Sequence, residues 1–256
     1  HTMECYTETK ARVAMNQTKE QMCVLNYEDE RLQQVAKNMS ADVFWFSSAR
    51  ELERGIFLRG EEIVCRDGEE ITLCNIHDLK LLGMHNYENV MAAAAIAHGM
   101  NVPWDVIRKV VCEFQAVPHR IEFVKEVNGV KYYNDSKGTN PDAAIKAVEA
   151  MVRPTIVIGG GYDKESVYDE WIASFGTKVK SLVLLGQTAD KIAEAAAKAG
   201  FTAVTKVDSL EEAVAECARQ AQDGDAVLLS PACASWGMFK NFEERGDLFK
   251  EYVKKL

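Results

Sequence analysis

The sequence predicts an α/β protein in two parts, the second built on a mostly parallel, doubly wound sheet of Rossmann-like architecture. Two observations predict that second part. From residue 140 onward, short apolar runs alternate with amphipathic helical stretches, the pattern of βα units. The last such run, Ala226-Val227-Leu228-Leu229, then breaks into small residues before a final helix, which is how open α/β sheets build ligand crevices. A third signal, Asn128-Gly129 between two β-patterned runs, predicts an antiparallel hairpin that opens this part.

In chain order, residues 4–15 read as a helix, 22–25 as a strand, 28–37 as a helix and 42–46 as a strand. A β-rich patch follows over 55–74, with turn signals at Arg59-Gly60 and Asp67-Gly68. An alanine-rich helix runs over 86–98 with Asn86 as its N-cap. The next helix opens at Pro103 and continues to Phe114, since proline suits a first helical turn. A division at Pro118 separates residues 1–117 from 118–256. Beyond it come the hairpin strands 122–127 and 130–133. Helices over 140–151, 166–175, 188–199 and 210–221 then precede strands over 155–158, 181–185, 202–205 and 225–229. The tail places Leu248, Phe249, Tyr252, Val253 and Leu256 on one helical face.

At 256 residues the chain can bury one large or two small cores. Its formal charge of −9 argues against non-specific nucleic-acid binding, so an anionic ligand needs a local cationic site. No apolar run is long enough to span a membrane, and no signal-peptide pattern is visible. Seven cysteines without a CxxC pair read as reduced thiols of a cytoplasmic protein. Cys233 reads as a small packing residue, because no activating histidine lies near it in sequence.

The chemistry concentrates in Ser230 to Gly246, SPACASWGMFKNFEERG. This loop offers the hydroxyls of Ser230 and Ser235, unpaired amides, and the cations Lys240 and Arg245. Such groups suit a carboxylate or a phosphate. Lys164 follows three glycines at the end of an apolar strand, where backbone and side chain can both approach a ligand. In NDSKGTNP, the Asn140-Pro141-Asp142 run caps a helix whose buried stripe is Ala144, Ala147, Val148 and Met151.

Together with HNYENV (85–90), PHR (118–120), YYNDSKGTNP (132–141) and GGGYDK (159–164), that segment resembles the Mur ligases of peptidoglycan synthesis. Among them it resembles those that add D-glutamate to UDP-N-acetylmuramoyl-L-alanine. The resemblance implies an ATP- and Mg2+-dependent carboxylate–amine ligase of cell-wall biogenesis, cytoplasmic and monomeric in its parent form, working through an acyl phosphate. Residues 1–117 then form the C-terminal part of a central P-loop-type ATPase domain, and residues 118–256 the Rossmann-like amino-acid-binding domain.

The resemblance also assigns residues. Lys164 pairs with the α-carboxylate of D-glutamate, while the Ser235 hydroxyl and the Phe242 backbone N–H take the side-chain carboxylate. Thr139 meets the amino acid and Lys137 the reacting phosphate region. Asp135, Arg120 and Asn89 contact the nucleotide. Lys10 aligns with the lysine that the family carbamylates to help hold magnesium. Trp236 stands in the substrate pocket where the family often has an aliphatic residue.

No GxxxxGK[ST] occurs in the chain, and Gly138-Thr139-Asn140 lacks the lysine of a P-loop. The family's phosphate loop, UDP-sugar domain and metal-binding histidine precede His1 in this register. The expectation is therefore a C-terminal fragment that is inactive alone. Three alternatives stand beside this reading. One is another ligase of the superfamily, although a DNPR-like motif is absent and folylpolyglutamate synthase lacks the SPACAS ending. Another is a non-catalytic amino-acid-binding module, against which Lys137 and Lys164 are both present. The third is a nicotinamide-dependent oxidoreductase, for which three consecutive glycines without GxGxxG spacing are weak support.

Overall fold

A computed structural model describes residues 2–256, which fold as two compact units, one ending at Phe114 and the other running from Gln115 to Leu256. The first unit holds a five-stranded sheet in the order β1-β2-β3-β4-β5, made of Met22–Asn26, Asp42–Ser47, Gly55–Arg59, Glu62–Asp67 and Glu69–Asn75. Its first three strands are parallel. The turn-rich patch is an antiparallel meander joined at Gly60 and Gly68.

Helices α1 (Met3–Ala11) and α2 (Glu30–Ala36) are shorter than their sequence patterns. The first passes into a 3₁₀ turn at Arg12–Ala14, and the second waits for Asp29, whose carboxylate accepts the N–H groups of Arg31 and Leu32. Helix α3 (Met84–Gly99) packs on β1, β2 and β3. It starts before the expected cap: Gly83 is the N-cap, and Asn86 lies inside the first turn, where its side-chain amide donates to Leu82 O at 2.7 Å. In α4 (Trp104–Glu113), Pro103 is the N-cap, one position earlier than expected.

The second unit opens with the hairpin of β6 (Glu122–Val127) and β7 (Val130–Asn134). Asn128 and Gly129 both adopt positive φ, 50° and 77°, as a tight two-residue hairpin turn requires. Then α5 (Pro141–Ala150), β8 (Thr155–Gly159), α6 (Asp169–Ala173), β9 (Val179–Leu184), α7 (Ala189–Lys198), β10 (Val204–Lys206), α8 (Leu210–Gln220), β11 (Ala226–Leu229) and α9 (Phe242–Lys255) follow. The sheet order is β10-β9-β8-β11-β7-β6, parallel except for β6. Every residue of β8 and β11 is buried, which is why both read as unbroken apolar runs.

Helices α8 and α9 pack together on one face, burying Val214, Cys217, Phe249 and Val253 against Tyr132, Ile156, Ile158, Val227 and Leu229. The alternate strand residues Val157, Leu182, Leu184 and Leu228 are also fully buried. They point to the opposite face, where α5, α6 and α7 contact one another in succession. Strand β11 is inserted between β7 and β8. The chain leaves β7 and β8 towards one face and β11 towards the other, which opens a crevice at their carboxyl ends.

Helix α6 is the largest departure from the sequence pattern, which placed a helix over 166–175. Residues 160–162 are instead tied to the loop after β11: Gly160 N–H donates to Pro231 O and Tyr162 N–H to Ala234 O, each at 2.9 Å. Gly161, at φ 149°, lies where a β-carbon would strike Ala234 O.

Candidate active site

The carboxyl ends of β7, β8 and β11 carry the three loops that sequence reasoning singled out. After β7, Asp135 is 4% exposed. Its Oδ2 accepts the Ser230 hydroxyl at 2.8 Å and its Oδ1 the Ile121 N–H at 3.3 Å. Burial pushes its carboxyl up to about 7, although Ser230, Ile121, Arg120 and Arg245 all favour the ionised form. Asp135, expected at a nucleotide, is thus enclosed by the fold.

Lys137 is exposed, with its ammonium 5.8 Å from the centroid of the Phe242 ring. Its backbone N–H donates to His119 O at 3.0 Å. Thr139 is half-buried and leads to Asn140, whose side chain accepts the Ala143 N–H at 2.9 Å and caps α5 as expected. Arg120 is exposed and enters no ion pair among the described residues.

After β8, Lys164 is exposed and holds its ammonium 4.7 Å over the Trp236 ring. After β11, Ser235 is 3% exposed, yet its hydroxyl makes no hydrogen bond among the described residues. Asn241 caps α9 by accepting the Glu244 N–H at 2.8 Å. Phe242 is the first helical residue, where the backbone N–H has no partner inside the helix. The helix dipole adds positive potential at that end. Lys137, Lys164 and the amide end of α9 thus stand on the loops that follow β7, β8 and β11, the end of the sheet at which open α/β folds bind ligands.

Arg245, Ser136 and His119 brace these loops from inside the fold. Arg245 is 2% exposed, with no carboxylate partner. It donates to Ser136 Oγ at 2.9 Å, Ser136 O at 2.8 Å and Cys233 O at 3.2 Å, and burial pushes its pKa down to about 10. Ser136 in turn donates to Phe242 O at 2.8 Å, which fixes the start of α9. His119, at φ 65°, is buried edge-on against Phe242, and its Nδ1 faces the Asn134 amide nitrogen at 3.1 Å. The positive φ at His119 leaves no sequence signal. Arg245, expected from the sequence as a cation open to an anionic ligand, is instead buried and spends its guanidinium on Ser136 and Cys233.

Gly246 belongs to the same arrangement. A β-carbon there would overlap His119 Nδ1 and stand 3.0 Å from the Asn134 amide. Alanine in a helix interior normally adds about 1 kcal/mol relative to glycine. Here overpacking wins: Gly246→Ala is expected to destabilise the second unit by about 1–3 kcal/mol, read as a lowered urea midpoint at unchanged m-value.

Cys233 accords with its reading as a packing residue. It is buried against the Tyr168 and Thr188 hydroxyls at 3.1 and 3.2 Å, and burial raises its thiol pKa. All seven cysteines are free. Lys10 and Asn89 belong to the first unit, both exposed, Lys10 on α1 with its ammonium 5.5 Å from the Tyr6 ring. No group of three His, Cys, Asp or Glu among the described residues could hold a metal ion. No described helix is long and apolar enough to cross a membrane.

A doubly wound sheet whose connections change face between β8, β11 and β7 defines a class of α/β proteins that bind ligands at the carboxyl ends of their strands. Within that class, the chain belongs to the Mur ligase family: residues 1–97 match the Mur ligase middle domain and residues 119–233 the Mur ligase glutamate ligase domain. Over its whole length the chain is 58% identical to UDP-N-acetylmuramoylalanine--D-glutamate ligase of Lachnoclostridium phytofermentans, of which it covers 57%. It is 46% identical to the protein of the same name from Clostridioides difficile, again covering 57%. The chain thus spans little more than half the length of these relatives. In fold it matches the MurF ligase of Thermotoga maritima solved in complex with ADP, with a TM-score of 0.63 at 16% identity over 99% of this chain and 58% of that one.

Proposed function

We infer that the second unit binds D-glutamate and that the parent protein joins it to UDP-N-acetylmuramoyl-L-alanine by ATP-dependent amide formation. What supports this reading is that Ser235, a largely enclosed residue whose hydroxyl has no hydrogen-bond partner among the described residues, lies on the loop that leads into the free amide end of α9, while Lys164, without an ion-pair partner among the described residues, stands on the loop after β8. Two separated anion-binding points suit a dicarboxylate: Lys164 for the α-carboxylate, Ser235 and the Phe242 N–H for the side chain. Held at both ends, the amino acid presents its α-amine for attack on an activated acyl group, an orientation effect that enzymes exploit heavily.

ATP supplies the phosphoryl group that activates the acceptor carboxylate. The exposed amide of Asn89 in the first unit and the exposed guanidinium of Arg120 in the second are each a candidate nucleotide contact of their own unit. Lys137, exposed and without an ion-pair partner among the described residues, can neutralise charge on the reacting anions, while Thr139 borders the amino acid. For Mg2+ the fit is poor, because the described residues lack a cluster of acidic or histidine ligands and Lys10 lies exposed over Tyr6. A carbamylated Lys10 would supply one carboxylate only. We expect no ligase turnover from residues 1–256 alone.

Calorimetric titration tests the amino-acid reading. D-glutamate should bind and L-glutamate should bind far more weakly. Lys164→Ala should weaken D-glutamate about 10- to 100-fold, the loss of one charge-assisted hydrogen bond. Equal affinity for the two enantiomers, or an unaffected Lys164→Ala variant, would count against it.

A further inference from the structure

Trp236 and Tyr162 are aromatic side chains that the core does not hold. They are 53% and 40% exposed, with ring centroids 5.6 Å apart. Tyr162 is nonetheless anchored at the backbone, because it forms a β-bridge with Ala234, two residues before Trp236, with the Tyr162 N–H on Ala234 O. The ammonium of Lys164 rests 4.7 Å over the Trp236 ring. It makes no hydrogen bond and no ion pair among the described residues. The adjacent carboxylate, Asp163, is drawn away by Lys191 at 3.0 Å and by the Glu165 N–H at 2.8 Å. The indole face is therefore what restrains the cation, and its three N–H donors stay uncommitted.

We propose that Trp236 is a positioning residue for Lys164: its indole, on the loop after β11, holds the ammonium of the loop after β8 in place, so that an incoming carboxylate meets a pre-placed cation. A free lysine must give up rotamer freedom when it binds, and stacking removes part of that loss beforehand. The carboxylate can approach the ammonium from the side away from the ring, so the stack persists in the complex. An exposed cation–π contact of this kind corresponds to about a two- to fivefold gain in affinity. The proposal rests on the dicarboxylate reading of the site and gives Trp236, expected in the substrate pocket, a specific task there.

The test uses the 256-residue chain labelled with 13C-lysine, with Lys164→Met to assign the Lys164 signal. In the wild type, the ε-methylene of Lys164 should be shifted upfield by the indole ring current. The shift should survive in part in Trp236→Phe and vanish in Trp236→Leu, with the rest of the spectrum preserved because the ring is half-exposed. D-glutamate affinity by calorimetry should be near wild type for Trp236→Phe and two- to fivefold weaker for Trp236→Leu. An identical Lys164 signal in wild type and Trp236→Leu overturns the proposal. So does wild-type D-glutamate affinity in Trp236→Leu. If the ring-current shift is present but the wild type takes up no D-glutamate, the dicarboxylate reading fails, and the positioning role fails with it.

Discussion

Replacement of Arg245 by alanine is expected to cost the second unit about 3–5 kcal/mol, the largest effect of any single change at the site. Two opposing terms decide the sign. Removing a buried cation relieves a desolvation penalty, visible as the downward push on its pKa. Against that, Ser136 O and Cys233 O lose donors in a place water does not reach, and each buried acceptor left unpaired costs about 1–3 kcal/mol. The space of the guanidinium adds a cavity term. Losses therefore outweigh relief. Arg245→Met, which fills the volume without the charge, should recover part of the deficit while leaving both carbonyls unpaired. Urea unfolding of the two variants against wild type checks this, and Arg245→Ala within 1 kcal/mol of wild type would contradict it. Because Arg245 and Phe242 share Ser136 Oγ, the same change should loosen the start of α9 and weaken D-glutamate binding.

The scaffold of the site was legible in the sequence, and its locking contacts were not. Buried strands of a parallel sheet show as continuous apolar runs, so β8, β9 and β11 appear in the sequence within a few residues of their bounds. Asn128-Gly129 and Asn140-Pro141 act through local backbone preference, and both stand where local chemistry put them. Failures occur where a distant segment overrides the local pattern. Residues 160–162 are tied to the loop after β11, and the helix that follows, α6, is only five residues long. Asn86 resembles a cap, yet Gly83 takes that position because the chain enters α3 at φ 94°. His119, Asn134 and Gly246 interlock across more than 110 residues of sequence, and no spacing rule reports such an encounter. Exposure was equally hidden. Arg245 and Asp135, both expected to face a ligand, lie enclosed in the fold, whereas Trp236 lies half open.

Asp135 should make the stability of the second unit fall as pH rises from about 4 to about 7, opposite to the usual behaviour of a salt-bridged carboxylate. Its folded pKa is raised, from an ordinary 3.8 to about 7, so between those values the folded state holds a proton that the unfolded chain has released. Stabilisation by the neutral carboxyl is complete below the unfolded value and is lost as pH climbs through the folded one. A shift of that size corresponds to about 4 kcal/mol at most. The partly compensating Ser230 and Ile121 hydrogen bonds are already contained in it. Asp135→Asn keeps an acceptor for the Ile121 N–H and carries no charge at any pH, so its urea midpoint should be flat across this window and exceed that of wild type at pH 8. Wild-type and Asp135→Asn curves that run parallel from pH 4 to 8 would show that the carboxyl titrates at an ordinary value. Burial would then not be the dominant force on it, and Arg120 and Arg245, which favour its ionised form, would have won.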